Sequence, residues 1–266
     1  MFLFDYHTHT GFSCDSEESL ERMCEKAIQL GLRELAITDH ADFLTYGVFE
    51  DEIDLEKRQT AMQTAQQKYA GQLVIRNGIE LGQPQANPKE YRRLMENYSF
   101  DFIIGSIHNL EKDLELDRLD YASVDLEELY GRFLDAEITL AKDYDFDVLG
   151  HITLPQRYLY RQLEKQVDLR PFEKQYKELF SILMEREKGI EVNTSGLYKG
   201  TGETLPTPQV LKWYRECGGN ILTVGSDAHR ASDLAFGIEK TYQMLRELGF
   251  SHIATYENRM RKEQRL

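Results

Sequence analysis

The sequence predicts an α/β protein in which parallel strands close into a barrel, and two observations support this fold. Apolar runs of strand length alternate with helical patterns along the chain, which is typical of a parallel sheet with crossover helices. The runs hold few polar residues, as expected for strands that are covered on both faces. They span 2–6, 34–38, 73–79, 101–107, 146–150, 189–192 and 220–225, and seven such units favour a barrel over an open sheet.

The helical segments between these runs carry ordinary start and stop signals. Capping residues and prolines mark the starts, and glycines mark several ends. The predicted helices run over about 17–30, from Asn87, from Asp125, from Thr207 to about 218, and over 237–248. The sequence contains no linker, repeat or low-complexity segment, so we expect a single domain over residues 1–266.

The composition argues against a membrane protein, a disulfide-rich protein and a nucleic-acid-binding protein. Hydrophobic residues make up 41% of the chain, no segment has the length of a membrane span, and the start lacks a signal-peptide pattern, so we expect a cytoplasmic protein. Three widely separated cysteines do not resemble a disulfide framework. The formal net charge of −14 argues against binding nucleic acid through a broad basic face. It does not exclude a small anionic substrate, because metal ions can reverse the local field in a cleft.

Six of the seven histidines directly follow predicted strands, where barrels of this type carry their chemistry. The histidines and acids at these strand ends are His7, His9, Asp15, His40, Glu80, His108, His151, Asp227 and His229. His7 and His9 are two residues apart, so their side chains project to the same side and can reach one ion. A lone histidine is usually structural, and His252 is interpreted as a structural or surface residue, but the convergence of nine residues predicts a metal centre.

Nine ligands are too many for one ion, because a tetrahedral zinc takes four, so the sequence favours two or three ions. Imidazole and carboxylate ligands without thiolate suggest zinc, iron or manganese. Cys14 is interpreted as a packed residue. Divalent ions would bring more positive charge than the three carboxylates neutralise, which suits a phosphate. Clustered metals also activate water, so the residues predict metal-assisted phosphoester hydrolysis.

The motifs "DYHTHT", "TDH", "GIELG", "GSIH", "LGH" and "GSDAH" resemble those of the polymerase and histidinol phosphatase (PHP) superfamily. The resemblance runs from Asp5 to about His229. It implies a distorted, TIM-like (β/α)7 barrel with the active site at the C-terminal ends of the strands and a trinuclear metal centre. The implied ligands are His7, His9, Glu80 and Asp227 for one ion, Glu80, His108 and His151 for a second, and Asp15, His40 and His229 for the third.

Within the superfamily, the chain most resembles the histidinol-phosphate phosphatases of histidine biosynthesis. This implies hydrolysis of L-histidinol phosphate to L-histidinol and phosphate by a hydroxide that bridges two metals. Asp42, in "HADF", is expected to face the substrate's ammonium or imidazole, or alternatively to cap a turn. Arg157, with Arg161 as second choice, is expected on the phosphate. After the sixth strand, only Ser195 and Lys199 stand where family members bring an arginine. A metal-bound water and Asp42 remain candidates for protonating the leaving alcohol.

Three other functions stay open at this point. A phosphodiesterase or nuclease could use the same metal scaffold, although the acidic balance disfavours a nucleic-acid strand. A hydrolase of the amidohydrolase type also opens with His-x-His, but it calls for a lysine where His108 stands. A metal-dependent structural domain without catalysis is the third alternative. The expected partner is a small phosphate ester rather than nucleic acid or a membrane, and the oligomeric state is left open.

Overall fold

Seven parallel strands form a barrel in the computed structural model, which describes residues 3–43, 53–110 and 115–266. In chain order the strands are β1 (Leu3–Asp5), β2 (Leu32–Ile37), β3 (His40–Asp42), β4 (Val74–Gly82), β5 (Phe102–Ser106), β6 (Val148–Leu149), β7 (Gly189–Asn193) and β8 (Leu222–Gly225). The barrel order is β1-β2-β4-β5-β6-β7-β8, and the short β3 pairs with the end of β4. All seven predicted strands are confirmed.

The sheet returns to its first strand. The Tyr6 N–H donates to the Val224 carbonyl over 3.0 Å, and the Asp227 N–H donates to the His7 carbonyl over 2.8 Å. These bonds bring β8 against β1, so the residues after both strands face the same end of the barrel. The predicted α/β barrel fold is therefore confirmed.

Helices surround the barrel; the five predicted helices are among them, and those over 55–68, 154–163, 173–185 and 196–199 were not predicted. The helices are α1 (Leu20–Leu30), α2 (Leu55–Lys68), α3 (Pro88–Asn97), α4 (Leu126–Asp143), α5 (Leu154–Leu163), α6 (Glu173–Glu185), α7 (Gly196–Lys199), α8 (Pro208–Glu216) and α9 (Ile238–Glu247). Asn87 and Asp125 cap α3 and α4 as predicted, by accepting backbone N–H groups of the first turn. Among the described residues, none of the helices is long and apolar enough to cross a bilayer.

Two helix ends differ from the sequence prediction. The first helix begins at Leu20 rather than near residue 17, because the Ser19 side chain accepts the Arg22 N–H and caps it there. Helix α8 ends at Glu216, two residues earlier than expected. Thr207 precedes α8 as predicted, but its hydroxyl has no hydrogen-bond partner among the described residues.

A C-terminal hairpin, β9 (His252–Glu257) and β10 (Met260–Arg265), closes the N-terminal end of the barrel and was not predicted. The Tyr6 hydroxyl accepts the Tyr256 N–H over 2.8 Å, and Arg259 pairs with Asp147, which directly precedes β6. The hairpin turn has positive φ at Asn258 and Arg259. An Asn-Gly pair would have marked such a turn, but Asn-Arg gives little signal in the sequence. His252 is exposed at the start of β9, far in the sequence from the strand-end motifs, as expected for a surface residue.

The guanidinium of Arg58 ties α2 to the C-terminal part of β2 and to β4. It is 1% exposed. It donates to the Asp39 carboxylate over 2.6 Å, to the Asn77 side chain over 2.6 Å, and to the carbonyls of Ile37 and Gly78 over 2.8 and 2.7 Å. A planar fork with several donors is suited to joining backbone and carboxylate acceptors in this way.

Asp39 extends this anchor to the loop that follows β1. Its other oxygen accepts the Thr10 N–H over 2.6 Å and the Ser13 hydroxyl over 3.2 Å. The Ser13 hydroxyl in turn lies 3.0 Å from Nδ1 of His9. The buried Arg58–Asp39 pair therefore supports the loop that carries one of the candidate ligands.

We expect Arg58→Ala to destabilise the fold by about 3–5 kcal/mol, because it leaves the Asp39 carboxylate buried without its cation. Urea unfolding followed by circular dichroism measures the change in the free energy of unfolding. The neighbouring Lys57 has an 80% exposed side chain that pairs with Asp54, so Lys57→Ala is the matched control and should leave the unfolding midpoint unchanged. Equal midpoints for both variants would contradict the anchoring role of Arg58.

Candidate metal centre

The nine predicted ligands meet around one carboxylate, Glu80, at the C-terminal end of the barrel. Glu80 lies on β4, where alternate side chains face opposite sides, so it shares the inner face with Gly78 and Gly82. The Glu80 side chain is 1% exposed. A buried carboxylate needs positive or hydrogen-bonding partners, and its surroundings supply them.

The two oxygens of Glu80 face different histidines. Oε1 lies 3.1 Å from His108 Nε2 and 2.9 Å from His151 Nε2. Oε2 lies 3.0 Å from His7 Nε2 and 3.1 Å from His40 Nδ1. Burial alone would raise the pKa of Glu80, but the charges of His7, His40 and His108 hold it well below its usual value. Each of the two sets of imidazoles therefore faces one oxygen of this carboxylate.

A second cluster contains His9, Asp15, His40 and His229. Their ligand atoms all lie within 4.8 Å of one another. The His9 ring stacks against the ring of His40 and against that of His229, with centroids 4.3 and 4.1 Å away. Asp15 Oδ2 lies 2.9 Å from His229 Nε2 and 3.6 Å from His40 Nε2. Asp15, His40 and His229, which the resemblance assigns to one ion, are therefore brought together. His9 lies beside them.

Two further groups of candidate ligands both contain Glu80, and each also shares one histidine with the cluster around Asp15. One contains His7 and His9, and the other contains His40 and His108. Asp227, expected beside the first group, has Oδ1 3.7 Å from His9 Nε2. His151, expected in the second group, has Nε2 3.4 Å from His108 Nε2. All nine predicted residues thus converge, and His40 lies near two groups rather than one.

Unpartnered ring nitrogens indicate that the cluster fits cations. Nε2 of His9, Nδ1 of His40 and Nε2 of His229 are buried and have no hydrogen-bond partner among the described residues. Oε2 of Glu80 nevertheless lies 3.5 Å from the His9 nitrogen and 3.1 Å from the His40 nitrogen. Oδ2 of Asp15 lies 2.9 Å from the His229 nitrogen. Buried polar atoms are rarely left unsatisfied, and lone pairs aimed into a space shared with carboxylates are the donor set of a divalent metal site. The residues therefore fit metal ions.

The outer nitrogens of several rings are held by other groups. Nδ1 of His9 lies 3.0 Å from the Ser13 hydroxyl, and Nδ1 of His229 lies 3.0 Å from the Asp227 carbonyl. Such contacts fix the orientation and tautomer of a ligating imidazole and leave the opposite nitrogen free to bind. This pattern is typical of metal-binding histidines rather than of isolated structural ones.

Arg157, Ser195 and Lys199 lie together beside Asp227. Arg157, in the first turn of α5, donates to Asp227 Oδ2 over 2.6 Å and to the Ser195 hydroxyl over 2.7 Å. Lys199 Nζ lies 3.9 Å from Asp227 Oδ2. Burial would raise the pKa of Asp227, but the charges of Lys199 and Arg157 hold it well below its usual value. Two cations and a hydroxyl thus border the metal cluster.

Arg161 does not join this group in the structure. It lies one turn further along α5 and donates to the Asp117 carbonyl over 3.1 Å, with its guanidinium 5.2 Å from the centre of the Tyr158 ring. It does line the same cleft as Arg157 and Lys199, which opens over the cluster with a volume of about 1650 Å³. Arg157 is therefore nearer to the metal cluster than the second choice, Arg161.

Asp42 lies at the edge of the cluster on β3. Its Oδ1 is 3.2 Å from Nδ1 of His108, and its side chain is 28% exposed to the cleft. Gly82 makes room for it, because a Cβ at that position would lie 1.5 Å from Asp42 Oδ1. The alternative prediction, that Asp42 caps the next turn, concerns residues 44–52, which lie outside the described residues. Asp42 faces both the cleft and a candidate ligand.

The sequence analysis missed Glu191, a second buried carboxylate in the barrel. Its Oε1 lies 2.6 Å from Nδ1 of His7, and its Oε2 accepts the His151 N–H over 2.8 Å. A signal was present, because Glu191 in "GIEV", like Glu80 in "GIEL", is a single acid within an apolar strand. A single acid inside an apolar strand marks an inward-facing polar group in both places.

Two proteins that are named as histidinol-phosphatases resemble this chain over nearly its full length. The histidinol-phosphatase of Lactococcus lactis subsp. lactis (strain IL1403) is 26% identical over 255 residues, which cover 95% of this chain and 93% of that protein. The probable histidinol-phosphatase of Thermotoga maritima is 25% identical over 252 residues, which cover 95% of each.

A solved structure shows the same fold. The crystal structure of the histidinol phosphate phosphatase from Lactococcus lactis, in complex with zinc, L-histidinol and phosphate, matches with a TM-score of 0.83 at 23% identity, covering 97% of this chain and 98% of that one. A model of the PHP domain matches residues 5–195, a range that includes every candidate ligand except Asp227 and His229. The chain therefore belongs to the PHP domain family.

Proposed function

We propose that this protein is a metal-dependent phosphomonoesterase that hydrolyses L-histidinol phosphate to L-histidinol and phosphate. The observation that carries the proposal is the position of Glu80 between two sets of imidazoles, next to Arg157, Ser195 and Lys199. The similarity to two proteins named as histidinol-phosphatases supports the choice of substrate.

The proposed metal centre holds three divalent ions, which are zinc, iron or manganese. Its ligands are His7, His9, Asp15, His40, Glu80, His108, His151, Asp227 and His229. The ligand types support this choice of metals, because imidazole and carboxylate without thiolate suit these ions. The same proposal treats residues 1–266 as one domain, since the described strands and helices pack around a single barrel.

Arg157, Ser195 and Lys199 are proposed to bind the phosphate. When bound, the divalent ions activate water at neutral pH and offset the charge of the phosphoryl group. Arg157 presents a planar fork for two phosphate oxygens, whereas Lys199 contributes a point charge. The contact of Arg157 with Asp227 holds the guanidinium beside the cluster, so that it stabilises charge which develops on the phosphoryl oxygens.

Asp42 is proposed to bind the amine or imidazole end of the substrate. Its carboxylate faces the cleft and is only partly exposed, so it offers an anionic partner for a cation. Asp42 and a water are the two candidates for protonating the leaving alcohol. Arg161 lines the outer part of the cleft and is proposed as a secondary substrate contact.

The proposed function is tested by kcat/KM for L-histidinol phosphate against a panel of other phosphomonoesters and short oligonucleotides, on protein of measured metal content. We expect a preference of at least about a hundredfold, which corresponds to about 2.7 kcal/mol in transition-state free energy. Equal, weak activity across the panel would contradict the substrate. A preference for oligonucleotides would favour the alternative, a PHP-family phosphodiesterase or nuclease.

We expect Glu80→Gln to lower the bound metal by more than one ion per chain and to abolish activity, because one carboxylate serves two groups of imidazoles. Metal analysis by mass spectrometry and the rate of histidinol phosphate hydrolysis measure both effects. Glu137→Gln is the matched control, since Glu137 is an equally buried carboxylate on α4, and it should keep full metal content. A Glu80→Gln protein with normal metal and activity would contradict a polynuclear centre.

We expect Arg157→Ala to raise KM for the phosphate ester by about tenfold or more, since a charge-assisted bidentate contact is lost. Arg161→Ala should have a smaller effect, because the Arg161 guanidinium is engaged with the Asp117 carbonyl. The exposed Arg170, which pairs with Asp168, provides a control whose alanine variant should match the wild type. An unchanged KM for Arg157→Ala, at normal metal content, would remove Arg157 from the phosphate site.

A further inference from the structure

Glu191 lies on the opposite side of the His7 ring from Glu80. Glu191 is 1% exposed, and all its hydrogen-bonding partners are potential donors. Oε1 meets Nδ1 of His7 at 2.6 Å, while Oε2 accepts the His151 N–H at 2.8 Å and the Asn193 amide at 3.2 Å. The carboxylate is therefore used only as an acceptor, and its two oxygens serve two different candidate ligands.

The contact with His7 selects one form of the ring. A carboxylate beside Nδ1 favours the tautomer with the proton on that nitrogen, which leaves the Nε2 lone pair free. That Nε2 lies 3.0 Å from Glu80 Oε2, on the side of the proposed ions. A proton on Nε2 instead would point a donor at the site and prevent His7 from binding a metal.

The contact with His151 holds an unusual backbone. His151 has a φ of 25°, in the left-handed region that non-glycine residues rarely adopt. Its N–H donates to Glu191, and its ring reaches back so that Nε2 lies 2.9 Å from Glu80 Oε1. The Glu191 carboxylate thus supports the ligands on both sides of the Glu80 bridge.

The barrel keeps space for this carboxylate. A Cβ at Gly225 would lie 2.8 Å from Glu191 Oε1 and 2.3 Å from the Cβ of His7, closer than real atoms approach. A Cβ at Gly150 would lie 3.5 Å from Oε2, an ordinary contact. The absence of a side chain at Gly225 is therefore a requirement for the close approach of Glu191 to His7.

We propose that Glu191 is a positioning residue of the metal centre, which fixes His7 as the Nδ1–H tautomer and fixes the backbone of His151. This inference rests on the proposed metal centre. Glu191 is not among the described residues that line the cleft, so it acts through His7 and His151 rather than on the reacting atoms. Loss of its charge and second acceptor should weaken metal retention before it affects the fold.

The test compares the loss of metal from Glu191→Gln and Glu137→Gln holoenzymes to a chelator. Glutamine keeps the size but replaces one acceptor oxygen with an NH₂ group, which must then face either the His7 Nδ1–H or the His151 N–H. We expect Glu191→Gln to lose metal about 10–100-fold faster, with an unchanged far-ultraviolet circular dichroism spectrum. Glu137→Gln changes an equally buried carboxylate away from the cluster and should match the wild type. Wild-type retention in Glu191→Gln would overturn the inference.

A second measurement does not depend on the folding of that variant. Nitrogen-15 spectra of zinc-loaded wild-type protein, assigned with His7→Gln, report which ring nitrogen of His7 carries the proton. We expect the proton on Nδ1, and a proton on Nε2 would overturn the inference. If the wild-type protein binds no divalent ion, that result overturns both this inference and the proposed function. A metal-replete wild type with unchanged retention in Glu191→Gln would overturn only the role of Glu191.

Discussion

A carboxylate buried at the end of a barrel must be compensated, and the compensation of Glu80 organises the rest of the site. Its two oxygens contact imidazoles carried by the segments after β1, β2, β5 and β6. Without those partners, a charged side chain that is 1% exposed would be strongly destabilising. The cluster is held by mutual attraction between acids and bases, and it suits divalent cations because several ring nitrogens have no hydrogen-bond partner among the described residues.

One end of the barrel is covered and the other is open. At the N-terminal end, the β9–β10 hairpin covers the strands through Tyr256 and Arg259. The opposite end remains open as a cleft lined by acids, histidines and a few cations. Arg58 and Asp39 connect the strands to the loop after β1, so the rigidity of the barrel reaches the side chains at its mouth. The hairpin therefore covers one end of the barrel, and the other end stays open for chemistry.

The barrel and the candidate ligands could be predicted because both depend on short-range patterns. Each strand is an apolar run, and each ligand stands at a fixed place just beyond it, as "TDH" and "LGH" show for His40 and His151. Glu191, Arg58 and the C-terminal hairpin were missed for a different reason. Their contacts join residues about 20 to 250 positions apart in the sequence, such as Arg58 with Asp39, Glu191 with His7 and Tyr256 with Tyr6. No local pattern records such pairings, although the position of Glu191 inside an apolar strand, like that of Glu80, could have been recognised.

The central claim, that Glu80 bridges separate metal ions, is tested most directly by anomalous diffraction from crystals of the zinc-loaded protein. Data collected above and below the zinc absorption edge locate each ion independently of any assumed ligand. The account predicts anomalous peaks on both sides of the Glu80 carboxylate, with each oxygen about 2.0–2.2 Å from a different ion. A single peak, or peaks that lie away from both oxygens of Glu80, would contradict it.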